Sequence, residues 1–246
     1  MNPATYGDRI AEVYDELYGD VPPAAVETLA TLAGTNGRCL ELGIGTGRLA
    51  LPLAARGLAI HGIDASPLMT KKLREKAGGD RIPVTLGDFA DVGSVKGGPF
   101  DLVFCAFNTL FALLTQDDQV RCFKGVASVL SRKGVFVVEA FVPDPSRFAK
   151  HQPALVGDVG DVDEDVEIEA SRHDGVAQRV SSRLVRIRQG HVRVCPVEIR
   201  YAWPAELDLM ARLAGLQLAN RWSGWDRQPF GAGSVAHVSV YQRESS

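Results

Sequence analysis

Residues Arg38 to Arg48 read RCLELGIGTGR, and this stretch decides the fold. The short apolar run Cys39-Leu40-Glu41-Leu42 passes straight into Gly43-Ile44-Gly45-Thr46-Gly47, and the apolar-periodic residues Leu49, Leu51, Leu53 and Ala54 follow. That order is strand, glycine turn, helix. Glycine belongs where the backbone turns sharply and lies close against a ligand. The helix behind the turn aims free N–H groups and the positive end of its dipole at the same place. The turn marks a site for a nucleotide-like ligand beside the strand-end carboxylate Glu41.

Alternating signals continue on both sides. Residues 6–18 carry Ile10, Val13, Tyr14 and Leu17 at helical spacing and predict one amphipathic helix, followed by a second over 24–33. Strand patterns fall at 58–64, 84–89, 100–107 and 134–140, with helices at 67–76 and 119–130 between them. Ser66-Pro67 supplies an N-cap and a first-turn proline. This alternation implies a doubly wound parallel sheet of Rossmann-like type. Residues 143–160, rich in proline, glycine and aspartate, predict a loop. Strand patterns at 166–171, 177–188 and 192–201 predict an inserted antiparallel β meander. Residues 204–218 return to helix and 235–241 close the chain as a strand. The expected division is residues 1–142 with 203–246 as the Rossmann-like domain, and 143–202 as an inserted β subdomain.

The 246-residue chain has a formal charge of −3 and no basic block, which argues against a nucleic-acid partner. No run of 18 apolar residues and no signal-peptide pattern is visible, so no membrane partner is expected. Four cysteines without a CxxC pair point to reduced, buried thiols and a cytoplasmic protein. The five histidines show no metal-ligand spacing, so no metal is expected. His61 reads as a packed strand residue, and His151 falls near the expected acceptor side. Seven carboxylates crowd into Asp158–Glu169, either as a charged substrate surface or as the solvated face of the meander.

The partners of the glycine turn decide its ligand. Asp64 ends the second strand, 21 residues after Gly43, where a carboxylate can accept from both hydroxyls of a ribose. That suits a nicotinamide-dependent oxidoreductase and an S-adenosylmethionine enzyme alike. The glycines run GxGxG rather than the dinucleotide GxGxxG. Asp88-Phe89 ends the third strand, where a carboxylate and a ring can meet an adenine. Glu41 suits the cationic amino-acid end of S-adenosylmethionine.

Taken together, ELGIGTGR, GIDAS, LGDF and FDLVFCAFNTLF resemble class I S-adenosylmethionine-dependent methyltransferases over about residues 38–140. Within that class the TYGDRIAEVYDELY segment, the inserted strands and HVSVY resemble sugar N,N-dimethyltransferases and antibiotic-biosynthesis small-molecule N-methyltransferases. The resemblance implies a seven-stranded sheet whose last strand is antiparallel. It implies that Glu41, Gly43 and Gly45 line the methionine part of S-adenosyl-L-methionine, that Asp64 with Ala65 holds the ribose, that Asp88 and Phe89 meet the adenine, and that Ala106 contacts the methionine moiety. Tyr6 would cap the cofactor. Tyr14 either closes over its carboxylate or packs as a core aromatic. Tyr6, Asn108 and Phe111 are the candidate catalytic residues, Asn108 and Thr109 orienting the acceptor while Phe107 and Phe111 exclude water. Some sugar N-methyltransferases carry a histidine in this loop, where Ala112 stands here. Trp222, Trp225, Arg227 and Phe230 either line the acceptor pocket or support the meander. The expected reaction is methyl transfer to a small-molecule amine, with O-methylation and nicotinamide oxidoreduction as alternatives. A homo-oligomer is left open.

Overall fold

The computed structural model describes residues 4–144, 155–159, 166–188 and 191–244. The elements run α1 (Ala4–Ile10), α2 (Tyr14–Tyr18), α3 (Pro23–Ala33), β1 (Arg38–Leu42), α4 (Ala50–Ala55), β2 (Ala59–Asp64), α5 (Pro67–Glu75), β3 (Val84–Leu86), β4 (Phe100–Cys105), α6 (Gln116–Val129), β5 (Leu130–Phe141), β6 (Leu155–Val159), β7 (Val166–Asp174), β8 (Arg179–Arg188), β9 (His191–Arg200), α7 (Pro204–Leu213), β10 (Leu216–Trp222) and β11 (Ala236–Arg243).

β4 is why the sheet forms. Its residues Leu102, Val103 and Phe104 are wholly buried, as a strand covered on both faces requires. The seven strands lie in the order β10-β11-β5-β4-β1-β2-β3. β1 pairs in parallel with β2 and β4, and β11 runs antiparallel to both β5 and β10. One face buries Phe111, Phe123, Phe136 and Tyr241 beneath α6 and α7, and the other buries Leu29, Leu53 and Phe104 beneath α3 and α4. Ser66 caps α5 by accepting from Met69 N at 3.1 Å, and Thr115 caps α6 by accepting from Asp118 N at 3.1 Å. Among the described residues no helix is long and apolar enough to cross a membrane. The four cysteines are buried free thiols.

Three sequence expectations are corrected. The predicted helix over 6–18 is two short helices, broken after Ile10 where Val13 takes a non-helical conformation (φ −124°, ψ 0°). Leu155–Val159, expected within a loop, is a fourth strand of the antiparallel sheet β6-β7-β8-β9. The helix expected to reach Leu218 stops at Leu213; Gly215 turns the chain at φ +71°, a position a side chain resists, and β10 follows. His151, residues 189–190 and the carboxylates Asp161, Asp163, Glu164 and Asp165 lie outside the described residues.

A buried ionic network joins the small sheet to the large one. Arg200, at the end of β9, is 5% exposed. Its guanidinium donates to Gln119 Oε1 on α6 (2.6 Å), Gln178 Oε1 (3.1 Å) and Glu206 Oε1 on α7 (2.7 Å). Burial works to raise the Glu206 pKa, but hydrogen bonds from Gln178, Arg200 and Gln116 outweigh it and hold the carboxyl below its usual range. A carboxyl depressed in the folded state contributes stability that is present above its unfolded pKa and lost as pH falls through the folded one. Arg200→Met should destabilise the protein by about 3 kcal/mol in urea unfolding, the cost of stranding a buried partner. It should also flatten the acid limb of stability against pH that Glu206 supplies.

Candidate cofactor and acceptor site

The glycine turn projects from the carboxyl end of β1. Gly43 takes φ +67°, and a Cβ there would meet Thr109 Cγ2 at 2.5 Å, so the turn is closed to other residues. Gly45 takes φ +55°, and a Cβ there would meet only Gly43 O, at 3.9 Å. The space over Gly45 is therefore open, as a ligand lying on the backbone needs. Asp64, at the end of β2, is fixed by the same turn: Gly45 N donates to Oδ2 at 2.7 Å and Ser66 N to Oδ1 at 2.8 Å. The carboxylate keeps acceptor capacity for a further donor. Burial, with Asp8 nearby, raises the Asp64 pKa despite those backbone donors. Ala65 stands beside it in the turn to α5.

Glu41 is 6% exposed, and its Oε2 has no hydrogen-bond partner. Burial raises its pKa well above the carboxylate norm, against the pull of Arg48 and with the neighbouring Asp64 adding to it. A buried carboxyl oxygen without a donor is costly and calls for one. A cationic amino group over the glycine turn supplies it, so these residues fit the amino-acid end of S-adenosylmethionine.

Asp88 caps the turn after β3, accepting from Ala90 N at 2.9 Å, and Phe89 is 8% exposed with its ring in the core. Ala106, 6% exposed, directly follows β4. Phe107 and Asn108 follow with φ +53° and +62°, two consecutive left-handed residues without a glycine. Such strain persists only where the surroundings enforce it. Glu139 on β5 enforces it: Phe107 N donates to Oε2 and the Trp225 indole to Oε1, both at 2.7 Å. Asn108 N donates to Glu139 O at 3.1 Å, and Asn108 Oδ1 accepts from Phe141 N at 2.7 Å. The amide oxygen of Asn108 is thus engaged with the backbone of β5. Phe111 is fully buried edge-on to Phe141 at 5.0 Å.

The held turn lifts Phe107 into an aromatic cluster. Its ring meets Tyr18 edge-on at 5.4 Å, Tyr18 meets Tyr14 at 5.3 Å, and the Arg48 guanidinium lies 4.6 Å over the Phe107 ring. Tyr6 lies within reach of Tyr18 and Tyr14 in the same cluster. Burial raises the Tyr6 pKa, and it pushes Tyr14 up to about 12. Both are phenols at neutral pH. α1 and α2 reach this position through two contacts. Their apolar side sets Ile10, Ala11 and Val13 against Met69 of α5 and Cys195 of β9. Their polar side places Asp8 on Ser66 Oγ (2.6 Å), Glu12 on Lys72 (2.8 Å) and Asp15 on Lys76 (2.7 Å).

Tyr18 also lines a cavity of about 770 Å³ between the end of β5, the inner face of the meander, Trp203 and the loop before β11. The aromatic residues before β11 lie elsewhere. Trp225 is 8% exposed in the core beneath α3, Arg227 sits over Trp222 at 5.4 Å, and Phe230 meets His237. His61 is half-buried edge-on to Phe100. His237 is buried, and burial lowers its pKa to about 4. Among the described residues no group of three His, Cys, Asp or Glu could hold a metal ion. Sequence reasoning missed Glu139, Arg48 and Tyr18. Glu139 is separated from its donors by 32 and 86 residues and carries no local signal.

A family profile described as a methyltransferase domain matches residues 39–134. The chain is 40% identical to the CcbJ methyltransferase from Streptomyces caelestis, with all of both chains covered and a TM-score of 0.88. It is 27% identical to a Streptomyces protein named Cypemycin N-terminal methyltransferase, over 99% of each chain. It shares its fold with S-adenosylmethionine-bound CalS10, an amino pentose methyltransferase from Micromonospora echinaspora, at 21% identity, a TM-score of 0.69 and coverage of 93% of this chain and 96% of that one.

Glutamine at 139 would offer one acceptor where two donors converge. Glu139→Gln should lower stability by about 1–3 kcal/mol, the cost of an unsatisfied buried group. The Trp225 fluorescence should shift to the red as its indole loses its partner. An unshifted spectrum with unchanged thermal unfolding would show that the carboxylate does not hold the turn.

Proposed function

The chain belongs to the class I S-adenosylmethionine-dependent methyltransferases, and we propose that it transfers the methyl group to an amine nitrogen of a small-molecule acceptor, an aminosugar or antibiotic intermediate. S-adenosylmethionine is its cofactor and supplies a methyl group on a cationic sulfur. On this reading Gly43 and Gly45 lie under the methionine moiety, with Ala106 beside it. Glu41 accepts from the amino group, Arg48 and Tyr14 face the carboxylate, Asp64 beside Ala65 accepts from the ribose hydroxyls, and Asp88 with Phe89 borders the adenine. Residues 143–202 form the subdomain that covers the acceptor against the body made by 1–142 and 203–246.

The observation that carries the nitrogen reading is the state of the phenols. Tyr6 is buried within the aromatic cluster, and burial raises its pKa and that of Tyr14. They orient an acceptor and exclude water; they do not take its proton. A neutral amine already has a nucleophilic lone pair, whereas a hydroxyl needs a base or a metal. Positioning and a dry site then supply the rate. Phe111 supports Phe141 at the cavity wall, and Asn108 acts through the turn it holds. The name of the Streptomyces relative that methylates an N-terminus agrees with nitrogen as the acceptor.

Methyl-labelled cofactor offered to matched amine and hydroxyl acceptors tests this. The amines should be labelled, with a rate that rises with pH as the bound amine loses its proton. Tyr6→Phe should lower the rate and keep that pH dependence. Labelling of hydroxyls alone would overturn the nitrogen reading and leave the family intact.

A second expectation concerns Glu41. Its raised pKa leaves it protonated at pH values where an ordinary glutamate is ionised. The arriving ammonium favours the ionised form. S-adenosylhomocysteine binding should therefore release protons, read by calorimetry in buffers of different ionisation heat. Glu41→Gln should abolish the buffer dependence.

A further inference from the structure

α2 carries Tyr14 and Tyr18 into the aromatic cluster, yet none of its five residues is fully buried. Tyr14 and Leu17 pack only partly against the apolar group around Ile10 and Met69. Val13, at its N-cap, makes no capping hydrogen bond. A helix this short is not stable by itself. Its place is set by contacts to other elements.

Asp15 makes the contacts that reach the cofactor turn. Thr46, inside the glycine turn, is wholly buried, and a buried hydroxyl needs a partner. It donates to Asp15 Oδ1 at 2.5 Å. Lys76, directly after α5, pairs with Asp15 Oδ2 at 2.7 Å and donates to the Thr46 carbonyl at 2.9 Å. The three residues close a triangle that engages both carboxylate oxygens and both oxygens of Thr46. An isolated ion pair at the surface contributes little. Here the carboxylate also satisfies a buried hydroxyl, and the ammonium also holds a backbone carbonyl of the turn. Tyr14, the neighbour of Asp15, lies within reach of Arg48, Glu41 and Asp64. Beyond α2, Arg48 donates to Asp20 O at 3.0 Å. Asp15 therefore fixes the Tyr14 end of the helix, and Arg48 the end that carries Tyr18.

We propose that Asp15 is a positioning residue for the methionine end of S-adenosylmethionine. It acts through Thr46 and Lys76, which hold the glycine turn, and through Tyr14, which it sets beside that turn. This rests on the placement of the methionine moiety over Gly43 and Gly45, and it adds what keeps the turn and the tyrosine in register. On the same reading the nucleoside end meets Asp64 and Asp88, which Ser66 N and Ala90 N anchor. Loss of Asp15 is felt by the amino-acid tail of the ligand and not by its nucleoside.

S-adenosylhomocysteine and 5′-methylthioadenosine are the probes. They share the nucleoside and the thioether, and the first alone has the amino-acid tail. Their affinities for the full chain are read by calorimetry. The wild-type protein should bind S-adenosylhomocysteine more tightly. Asp15→Ala should weaken S-adenosylhomocysteine about tenfold and leave 5′-methylthioadenosine unchanged, and that retained binding shows that the variant is folded. Lys76→Met should weaken S-adenosylhomocysteine in the same selective way, and Lys76→Arg, which keeps the charge, should stay close to the wild type. Combined with Asp15→Ala, Lys76→Met should cost less than the two single losses together, as partners in one network do. Equal weakening of both ligands in Asp15→Ala, or no change in either, overturns the proposal and leaves the placement of the methionine moiety intact. Equal affinity of the wild type for the two ligands overturns both.

Discussion

The carboxylate of Glu139 is the point on which the mouth of the site depends. Its two oxygens receive the Phe107 backbone and the Trp225 indole, and its own carbonyl receives Asn108. Three pieces of chain distant in sequence are fixed by one side chain: the end of β4, the middle of the sheet at β5 and the loop before β11. Trp225 passes the constraint on, because its carbonyl accepts from Thr28 of α3 at 3.0 Å. Without these bonds two left-handed residues in succession would relax. Phe107 would then leave Tyr18 and Arg48, and the aromatic cluster would come apart.

The same economy governs charge at the glycine turn. Glu41 and Asp64 are both drawn out of water at neighbouring strand ends, and each has a raised pKa from burial first. The positive dipole ends of α4 and α5 and the nearby Arg48 offset only part of that cost. A ligand that brings a cation to one carboxylate and hydroxyl donors to the other completes both. An adenosyl compound with an amino-acid tail has that distribution.

Legibility followed sequence distance. The turn at Gly43 to Gly47, Asp64 and Asp88 could be read because strand, turn and helix are contiguous and their chemistry is local. The doubly wound sheet followed from the apolar runs at β1, β2 and β4. β10 was hidden because Leu216 and Leu218 continue the apolar spacing of α7, and Gly215 alone announced the break. β6 was hidden by the glycine and aspartate in LVGDV. The break inside 6–18 has neither glycine nor proline to signal it, since tertiary contact with α5 and β9 sets it. Glu139 and Arg200 were illegible for one shared reason: each acts through partners on other strands or helices.

The two edges of α1 and α2 are held by different physics. One edge is apolar, against Met69 and Cys195. The other is a row of polar contacts from Asp8, Glu12 and Asp15 to α5, the turn at Thr46 and Lys76, with Glu12 and Asp15 largely open to water. Dissolved ions weaken such exposed pairs and leave apolar contact intact. The segment is therefore hinged on its greasy edge and latched on its ionic one. Raised ionic strength would therefore loosen the ionic edge of the segment before the apolar one.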